Sequence, residues 1–294
     1  MESGDGIDTE FQLVYVPIQM IASALDQPLD NVIYFATVIG SFVACLTLGQ
    51  IENVPLRKGF SISMGLCIGF FIYGRLFAWN VGFVLVNYAF MRCFPRALAA
   101  NLMVGFSVCC LLGSGYYAKY IRNKYSLDID LAIMINFCKL HMFAVNYDNA
   151  AMLADPARSK LFTTRERHYA ETLRKRVRLV DFANYFLFCA SCFSGMVHEY
   201  RDFDEFIHRT GQYSAIPKDR LLKPALQRFV SVIFCAALLV IMTLSFPKPY
   251  LMTDEFTNEP FWYRCFFMMG VALIKFVTLV LGFSAMECNF IACG

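Results

Sequence analysis

The residues best suited to chemistry are five polar side chains in or beside one apolar run, residues 129–147. They are Asn136, Lys139, His141, Asn146 and Asp148. A helix turns by about 100° per residue, so Asn136, Lys139 and Asn146 fall within one narrow stripe, while His141 and Asp148 share another face. Ionisable groups are costly in lipid and usually mark functional positions. The pattern predicts a helix that contacts protein or a wet cavity along both sides.

A second polar stripe occurs in and beyond the last apolar run, residues 265–286. Small and polar side chains recur there at roughly helical spacing: Lys275, Thr278, Gly282, Ala285 and Asn289. Such a stripe favours close packing between helices. It also fits a polar cavity lined by Lys275 and Asn289, with Glu287 projecting from a different face. Both interpretations stay open at this point.

The four histidines do not form a recognised catalytic or metal-binding pattern. His141, His168, His198 and His208 show no His-x-x-x-His spacing, and the sequence has no Ser-His-Asp pattern, nucleophile elbow or phosphate-binding glycine loop. We therefore predict no metal site and no bound cofactor, and we assign no catalytic residue from these patterns.

The composition places these residues in a membrane protein. Of the 294 residues, 58% are hydrophobic and 17% are charged, whereas soluble domains average about 25% charged residues. The net charge is only +3 and no basic stripe alternates with stacking aromatics, so we predict no nucleic-acid partner. The 30 phenylalanines suit helices that face acyl chains.

The apolar runs predict an all-α, polytopic membrane bundle of about seven to eight transmembrane helices. The runs cover residues 32–49, 60–73, 76–91, 97–118, 129–147, 179–198, 229–246 and 265–286. Residues 1–30 are predicted to form an acidic N-terminus with an interfacial helix, and residues 31–294 a single multi-pass domain. We interpret the Gly65 and Gly69 pair as a helix-packing motif.

A basic segment separates two of these runs and begins with a helix signal. Thr163 and Glu166 have the spacing of a capping box, which predicts a helix that continues to the next run. The segment carries six basic residues: Arg165, Arg167, Arg174, Lys175, Arg176 and Arg178. Two interpretations stay open: a positive-inside anchor, or a surface that binds the phosphates of lipid headgroups or of a nucleotide-like acyl carrier.

Several segments together resemble the membrane-bound O-acyltransferases, and within them the lysophospholipid acyltransferase branch. The similar segments are Leu25 to Val32, Lys139 to Asp148, Leu179 to Ile207, and the order of Asp254, Arg264, Lys275 and Glu287 toward Gly294. The stretch from Leu179 to Ile207 is the most specific. The chain departs from the family pattern where Asp26 and Asn149 replace glycines, and where the usual Gly-Pro is missing near Val197.

The resemblance implies an enzyme of the endoplasmic reticulum membrane that transfers a fatty acyl group from acyl-CoA to a lysophospholipid, in phospholipid remodelling. Acyl-CoA would be the co-substrate, and the lysophospholipid and membrane lipid the other partners. Residues 31–294 would then be an acyltransferase-like domain. The implied substrate-binding residues are Lys139, Asp148, Lys275 and Glu287.

The catalytic histidine and asparagine of the family have no counterpart in this sequence, and the resemblance places them beyond Gly294. Neither His141 nor His198 matches the family position, so neither is assigned that role. The chain is therefore expected to be the front part of an acyltransferase. The competing interpretation is an inactive copy, a non-enzymatic scaffold or a transporter, although the paired broken spans typical of transporters are not seen.

Overall fold

The structure is a computed structural model that describes residues 12–24, 29–117, 120, 129–153, 155, 159–191, 197–216 and 221–294. All regular elements within these ranges are helices. This confirms the predicted all-α membrane bundle. Two parts of the segments that carried the resemblance, residues 25–28 and 193–195, lie outside the described ranges.

Twelve α-helices follow one another along the described part of the chain. In order they are α1 (Gln12–Ala24), α2 (Leu29–Gln50), α3 (Val54–Tyr73), α4 (Phe77–Cys93), α5 (Arg96–Tyr116), α6 (Asp130–Met152), α7 (Thr164–Thr172), α8 (Leu179–Phe186), α9 (Tyr200–His208), α10 (Leu222–Ser245), α11 (Asp254–Asn258) and α12 (Phe261–Cys293). Short 3₁₀ turns occupy Gly74–Leu76, Gly211–Ala215 and Lys248–Met252. The first helix, α1, packs on α2 through Tyr15, Ile18 and Ile33.

Five helical segments in the described residues are long and apolar enough to cross a membrane. They are Asn31–Gln50, Val54–Cys93, Arg96–Tyr116, Leu222–Met252 and Phe261–Cys293. This is fewer than the seven to eight runs predicted, partly because runs 60–73 and 76–91 form one helical segment of 40 residues. The run at 129–147 forms α6, which has 23 residues but carries the polar stripe that makes it less apolar than these five.

The sequence predicts one continuous span over residues 179–198, and the structure corrects this prediction. Among the described residues of this range, Leu179–Phe186 is the helical part, residues 187–191 form bends and turns, and the next helix begins at Tyr200. Phe182 and Tyr185 of α8 are fully buried, and α8 packs against α3 and α4. The segment is apolar because it lies inside the protein, and burial in a core needs the same residue types as contact with lipid.

The largest helix interface joins α10 to α12, and α12 also packs on α2. Phe42 of α2 stacks on Phe229 of α10 with ring centroids 4.4 Å apart. Asn289 Nδ2 of α12 donates a hydrogen bond to Ser41 Oγ of α2 at 3.0 Å. The C-terminal end of α12 lies beside the segment that contains α8 and α9, because the ring of Phe290 contacts those of Phe188 and Phe206.

The pair Gly65 and Gly69 is a packing motif, as the sequence predicts. A methyl group at Gly65 would lie 1.8 Å from the carbonyl oxygen of Leu187, and one at Gly69 would lie 2.2 Å from the ring of Phe77. The absence of side chains therefore lets α3 approach both the turn after α8 and the start of α4.

Candidate functional site

The buried face of α6 carries the first predicted polar stripe. Asn136, Lys139 and Asn146 are 3%, 0% and 9% exposed. Their side chains donate hydrogen bonds, in the same order, to Asn80 Oδ1 at 2.9 Å, Ser191 Oγ at 2.7 Å and Glu199 Oε2 at 2.7 Å. The prediction that this face contacts protein is confirmed, and its partners come from three different segments.

Lys139 is a fully buried cation. Its Nζ also donates to the carbonyl oxygen of Tyr185 at 3.2 Å and lies 5.5 Å from the centroid of the Tyr185 ring. Burying an ammonium group costs several kcal/mol unless polar groups surround it. The oxygens of Tyr185 and Ser191 lie on either side of the turn after α8, so Lys139 joins α6 to that turn.

The second predicted face of α6 is not covered by protein along its whole length. His141 is exposed, and Asp148 is half-buried. The ring of His141 lies beside that of Phe137, a neighbour on its own helix, with centroids 6.4 Å apart. At His141 the helix therefore faces outward.

Lys275 and Glu287 lie toward the surface of the bundle. Lys275 is exposed, and Glu287 Oε2 forms an ion pair with Arg228 Nη2 of α10 at 2.5 Å. Within the described part of the chain, no hydrogen bond or ion pair joins Asp148, Lys275 and Glu287 to one another. By contrast, Gly282 and Asn289 of the same stripe are buried, which supports the packing interpretation for that end of α12.

An aromatic cluster surrounds His198, which the sequence analysis did not place in a site. Its ring centroid lies 5.5 Å from those of Tyr185 and Phe203 and 5.4 Å from that of Phe290. Both ring nitrogens are buried, and within the described residues neither has a hydrogen-bond partner. Burial, and to a smaller extent the charge of Lys139, hold the pKa of His198 well below its usual value, so the imidazole is neutral at pH 7.

A cavity of about 470 Å³ opens beside His198. Its wall is mainly apolar, with Phe203, Phe206 and Phe290 among its aromatic side chains, and the C-terminal end of α12 forms one side. Asp202 and Tyr213 are the other polar side chains on the wall. The volume lies within the range of about 300–1,000 Å³ that is typical of small-molecule sites. No sequence pattern could have located this cavity, because its wall combines segments far apart in the chain.

An ion cluster connects α3, α8 and α9. Lys58 Nζ lies 2.5 Å from Asp181 Oδ1 and 3.1 Å from His208 Nε2. His208 Nδ1 lies 2.8 Å from the carbonyl oxygen of Asp204, so Nδ1 donates there and Nε2 accepts from Lys58. Burial raises the pKa of the Asp204 carboxyl above its usual value, although His208 and Lys58 act in the opposite direction. We interpret this cluster as a clamp that holds the wall of the cavity against α3.

The capping box predicted at Thr163 is present. The Thr163 side chain accepts a hydrogen bond from the backbone of Glu166, and Glu166 Oε2 accepts one from the backbone of Thr163 at 2.8 Å. The Thr163 backbone and then its side chain hold the pKa of Glu166 below its usual value. The helix ends at Thr172, however, because Leu173 begins a turn, so it does not reach the next apolar run.

The six basic residues of this segment are all exposed. We call them the basic surface: Arg165, Arg167, Arg174, Lys175, Arg176 and Arg178. Arg165 lies over the ring of Tyr169, and Arg167 donates to the carbonyl oxygen of Ser159 at 2.8 Å. Within the described residues, Lys175 and Arg176 have no such contact, so their charges face the surroundings.

Five apolar helices arranged beside a buried polar stripe define an integral membrane protein. The family model described as "MBOAT, membrane-bound O-acyltransferase family" matches residues 97–294, more than half of the chain. The chain therefore belongs to the membrane-bound O-acyltransferase family. The matched residues include α6, His198 and the cavity.

Two relatives illustrate how distant the similarity is. The chain is 23% identical to lysophospholipid acyltransferase 5 of Homo sapiens over 219 residues, which cover 73% of this chain and 43% of that protein. It is 24% identical to lysophospholipid acyltransferase 6 of Drosophila melanogaster over 244 residues, which cover 75% of this chain and 32% of that protein. The chain thus spans less than half the length of these curated relatives.

Proposed function

We propose that this protein takes part in the transfer of a fatty acyl group from acyl-CoA to a lysophospholipid, in the remodelling of phospholipids in the endoplasmic reticulum membrane. The observation that carries the proposal is the family match over residues 97–294, together with relatives named lysophospholipid acyltransferases. Acyl-CoA would be a co-substrate rather than a bound cofactor.

Acyl transfer needs a base for the acceptor hydroxyl and hydrogen-bond donors for the oxyanion. We assign neither role to a residue of this chain. Lys139 instead acts as a positioning residue, because its buried ammonium group fixes the turn after α8 against α6. Asp148, Lys275 and Glu287 stay predictions as substrate-binding residues.

The basic surface would meet the phosphates of the acyl-CoA. Its six exposed cations lie on a short helix and on the residues that follow it. Arginine and lysine bind phosphate through charge-assisted hydrogen bonds, which are about twice as strong as those between neutral groups. The Phe-rich helices would hold the acyl chain.

The test is an acyl-transfer assay on membranes from cells that express the product of the native gene. Oleoyl-CoA is supplied with lysophosphatidylcholine, lysophosphatidylethanolamine or lysophosphatidylserine, and the diacyl product is measured by mass spectrometry. We expect product with at least one headgroup, above the level of membranes that lack the protein. If the protein is folded and membrane-bound but no headgroup gives product, the proposal is wrong and the non-enzymatic scaffold is favoured.

A further inference from the structure

We propose that protonation of His208 loosens α9 from α3, so that mildly acidic surroundings open one wall of the cavity. His208 belongs to the ion cluster that connects α3, α8 and α9. The inference goes beyond the proposed function, because it concerns the position of α9 and can be measured without acyl transfer.

The neutral imidazole of His208 makes one contact between helices and one within its own helix. Its Nε2 accepts a hydrogen bond from Lys58 Nζ of α3 at 3.1 Å, and its Nδ1 donates to the carbonyl oxygen of Asp204 at 2.8 Å. Asp204 lies on α9 itself, so of these two contacts it is the one with Lys58 that joins α9 to α3. The side chain of His208 is 33% exposed, so protons from solution reach it.

A proton on Nε2 reverses the contact with Lys58. An imidazolium has a donor at each nitrogen and no acceptor, so the hydrogen bond is lost and two like charges lie 3.1 Å apart. The Asp204 carboxylate, with its Oδ1 3.2 Å from Nδ1, pairs with the imidazolium instead. The proton therefore weakens a contact between helices and strengthens one within α9. Imidazole is the side chain whose charge ordinarily changes between pH 5 and 8.

Two further acidic side chains near the imidazole already have cationic partners. From α8, Asp181 contacts Lys58 at 2.5 Å and Arg178 at 3.2 Å. From α9, Glu205 pairs with Arg201 at 2.9 Å. Lys58 keeps its contact with Asp181 when the imidazole is protonated, so α3 stays joined to α8 and the change is confined to α9.

Two arginines hold the same part of α9 through contacts that do not depend on pH. Arg57 of α3 lies 5.0 Å from the centroid of the Phe206 ring, and Arg209 Nη2 donates to the carbonyl oxygen of Gly49 in α2. A guanidinium group stays charged in proteins, so both contacts remain after His208 is protonated. We therefore expect a local opening of α9 and not its detachment.

An opening of α9 changes the cavity, because this helix carries part of the cavity wall. Asp202, Phe203 and Phe206 all lie on α9 and line the cavity. When α9 moves away from α3, these side chains move with it. The ion cluster therefore acts as a pH-sensitive clamp on access to the cavity.

The experiment is hydrogen–deuterium exchange of the protein in phosphatidylcholine nanodiscs, at about pH 7.5 and about pH 5.5, on either side of the ordinary imidazole range. Each measured rate is divided by the intrinsic rate at that pH to give the protection of each peptide. We expect the protection of α9, Tyr200–His208, to fall about tenfold at the lower pH, the value for loss of one hydrogen bond to a charged group. The protection of α10, Leu222–Ser245, should stay the same.

The variant His208→Gln keeps an oxygen that can accept from Lys58 and removes the titrating group. We expect its α9 to be protected as in the parent at the higher pH and to keep that protection at the lower pH. The matched control is His168→Gln, the same substitution at an exposed position of α7, which should show the tenfold fall of the parent.

Equal protection of α9 at both pH values in the parent would overturn the proposal. A fall that persists in His208→Gln would overturn it as well, since a carboxyl group such as Glu199 or Asp204 would then be responsible. Loss of the fall in His168→Gln would assign the effect to the wrong histidine and also overturn it. The exchange data do not depend on acyl transfer, so the clamp and the proposed function can fail separately.

Discussion

The ammonium nitrogen of Lys139 lies 2.7 Å from the hydroxyl oxygen of Ser191, and this contact joins the polar face of α6 to the turn after α8. The same nitrogen reaches the carbonyl oxygen of Tyr185, whose ring also contacts that of His198. The position of the cavity wall therefore depends on a buried cation that sits on a different helix.

Replacing Lys139 by Met tests this dependence. The substitution removes a buried charge, whose desolvation costs several kcal/mol. It also removes the donor for two buried oxygens, and each oxygen left unsatisfied costs ~1–3 kcal/mol. The two effects on the free energy of unfolding have opposite signs. We expect a small change in melting temperature but at least about a tenfold loss of acyl transfer, because a displacement of about 1 Å in a positioned group can cost far more than that. Differential scanning fluorimetry and the acyl-transfer assay measure the two effects.

The control is Lys223→Met, the same substitution at an exposed position of α10. It should leave the melting temperature of the detergent-solubilised protein nearly unchanged. If Lys223→Met lowers transfer as much as Lys139→Met does, the lost charge itself and not the position of the turn explains the result. Unchanged transfer and stability in Lys139→Met would contradict the positioning role.

The polar stripe of α6 was predictable because it depends on local periodicity alone. A turn of about 100° per residue places Asn136, Lys139 and Asn146 together in any helix. Their partners were not predictable, because Asn80, Ser191 and Glu199 lie more than 50 residues away in sequence. The capping box at Thr163 was predictable for the same reason as the stripe, since its two residues are three positions apart.

The segment around α8 shows where sequence reasoning fails. An apolar run of about 20 residues has the length of a membrane span, yet residues 179–191 form one eight-residue helix followed by bends and turns. Composition does not separate burial by protein from burial by lipid. The cavity beside His198 was missed for a different reason, because its wall combines segments that are far apart in the chain.

Gly65→Ala is expected to be strongly destabilising. The new methyl group would lie 1.8 Å from a backbone oxygen of Leu187, and neither backbone segment can move without separating α3 from α8. We expect a loss of at least ~3 kcal/mol, in the range of severe packing defects, or failure to accumulate in membranes. Gly59→Ala is the matched control on the same helix, since its methyl group would have no atom within 4 Å. Equal behaviour of the two variants would contradict the close approach of α3.

The Arg228 and Glu287 pair predicts a non-additive double variant. Each side chain is partly exposed at the surface formed by α10 and α12, where an unpaired charge is more costly in lipid than in water. We expect Glu287→Gln alone to be less stable than the double variant Arg228→Gln/Glu287→Gln, because the single change leaves the guanidinium without its carboxylate. Thermal melting of the single and double variants measures the coupling, and additive losses would show that this surface meets water.

Glu199→Gln is expected to change how stability depends on pH. Burial raises the pKa of Glu199 above its ordinary value of 4.5, and the Asn146 hydrogen bond offsets only part of that rise. The folded state therefore binds the proton more tightly than the unfolded state, so stability falls as pH rises from about 4.5 through the raised pKa. Glutamine keeps the acceptor for Asn146 and does not ionise, so its advantage over the parent should grow from pH 4 to pH 7 in melting experiments.

Glu166→Gln is expected to change the pH dependence of stability in the opposite direction to Glu199→Gln. Hydrogen bonds at the capping box lower the pKa of Glu166, so its carboxylate stabilises the folded state above the ordinary pKa of 4.5 and this stabilisation is lost as pH falls. The variant should therefore become less stable than the parent as pH rises.

If the curves of melting temperature against pH are parallel for Glu199→Gln and the parent, burial does not perturb the ionisation of Glu199.

Substitution of Lys175 and Arg176 tests whether the basic surface binds phosphates or is only a positive-inside anchor. Both are exposed, so their substitution by Gln removes charge with little effect on packing. If they meet the phosphates of acyl-CoA, the KM for acyl-CoA should rise about three- to tenfold in the double variant while kcat stays unchanged, since each exposed charge pair contributes ~0.2–1 kcal/mol and aligned phosphate contacts somewhat more. The effect should shrink as salt increases, because an ionic strength of about 0.15 M already limits such interactions to about 8 Å.

The double variant Arg92→Gln/Lys223→Gln removes the same charge from two other exposed positions and should leave KM unchanged. If the basic surface serves only as a positive-inside anchor, both double variants should have the same KM as the parent. The Lys175 and Arg176 substitutions should then change the amount of protein inserted in the correct orientation. Protease protection of the membranes measures that amount.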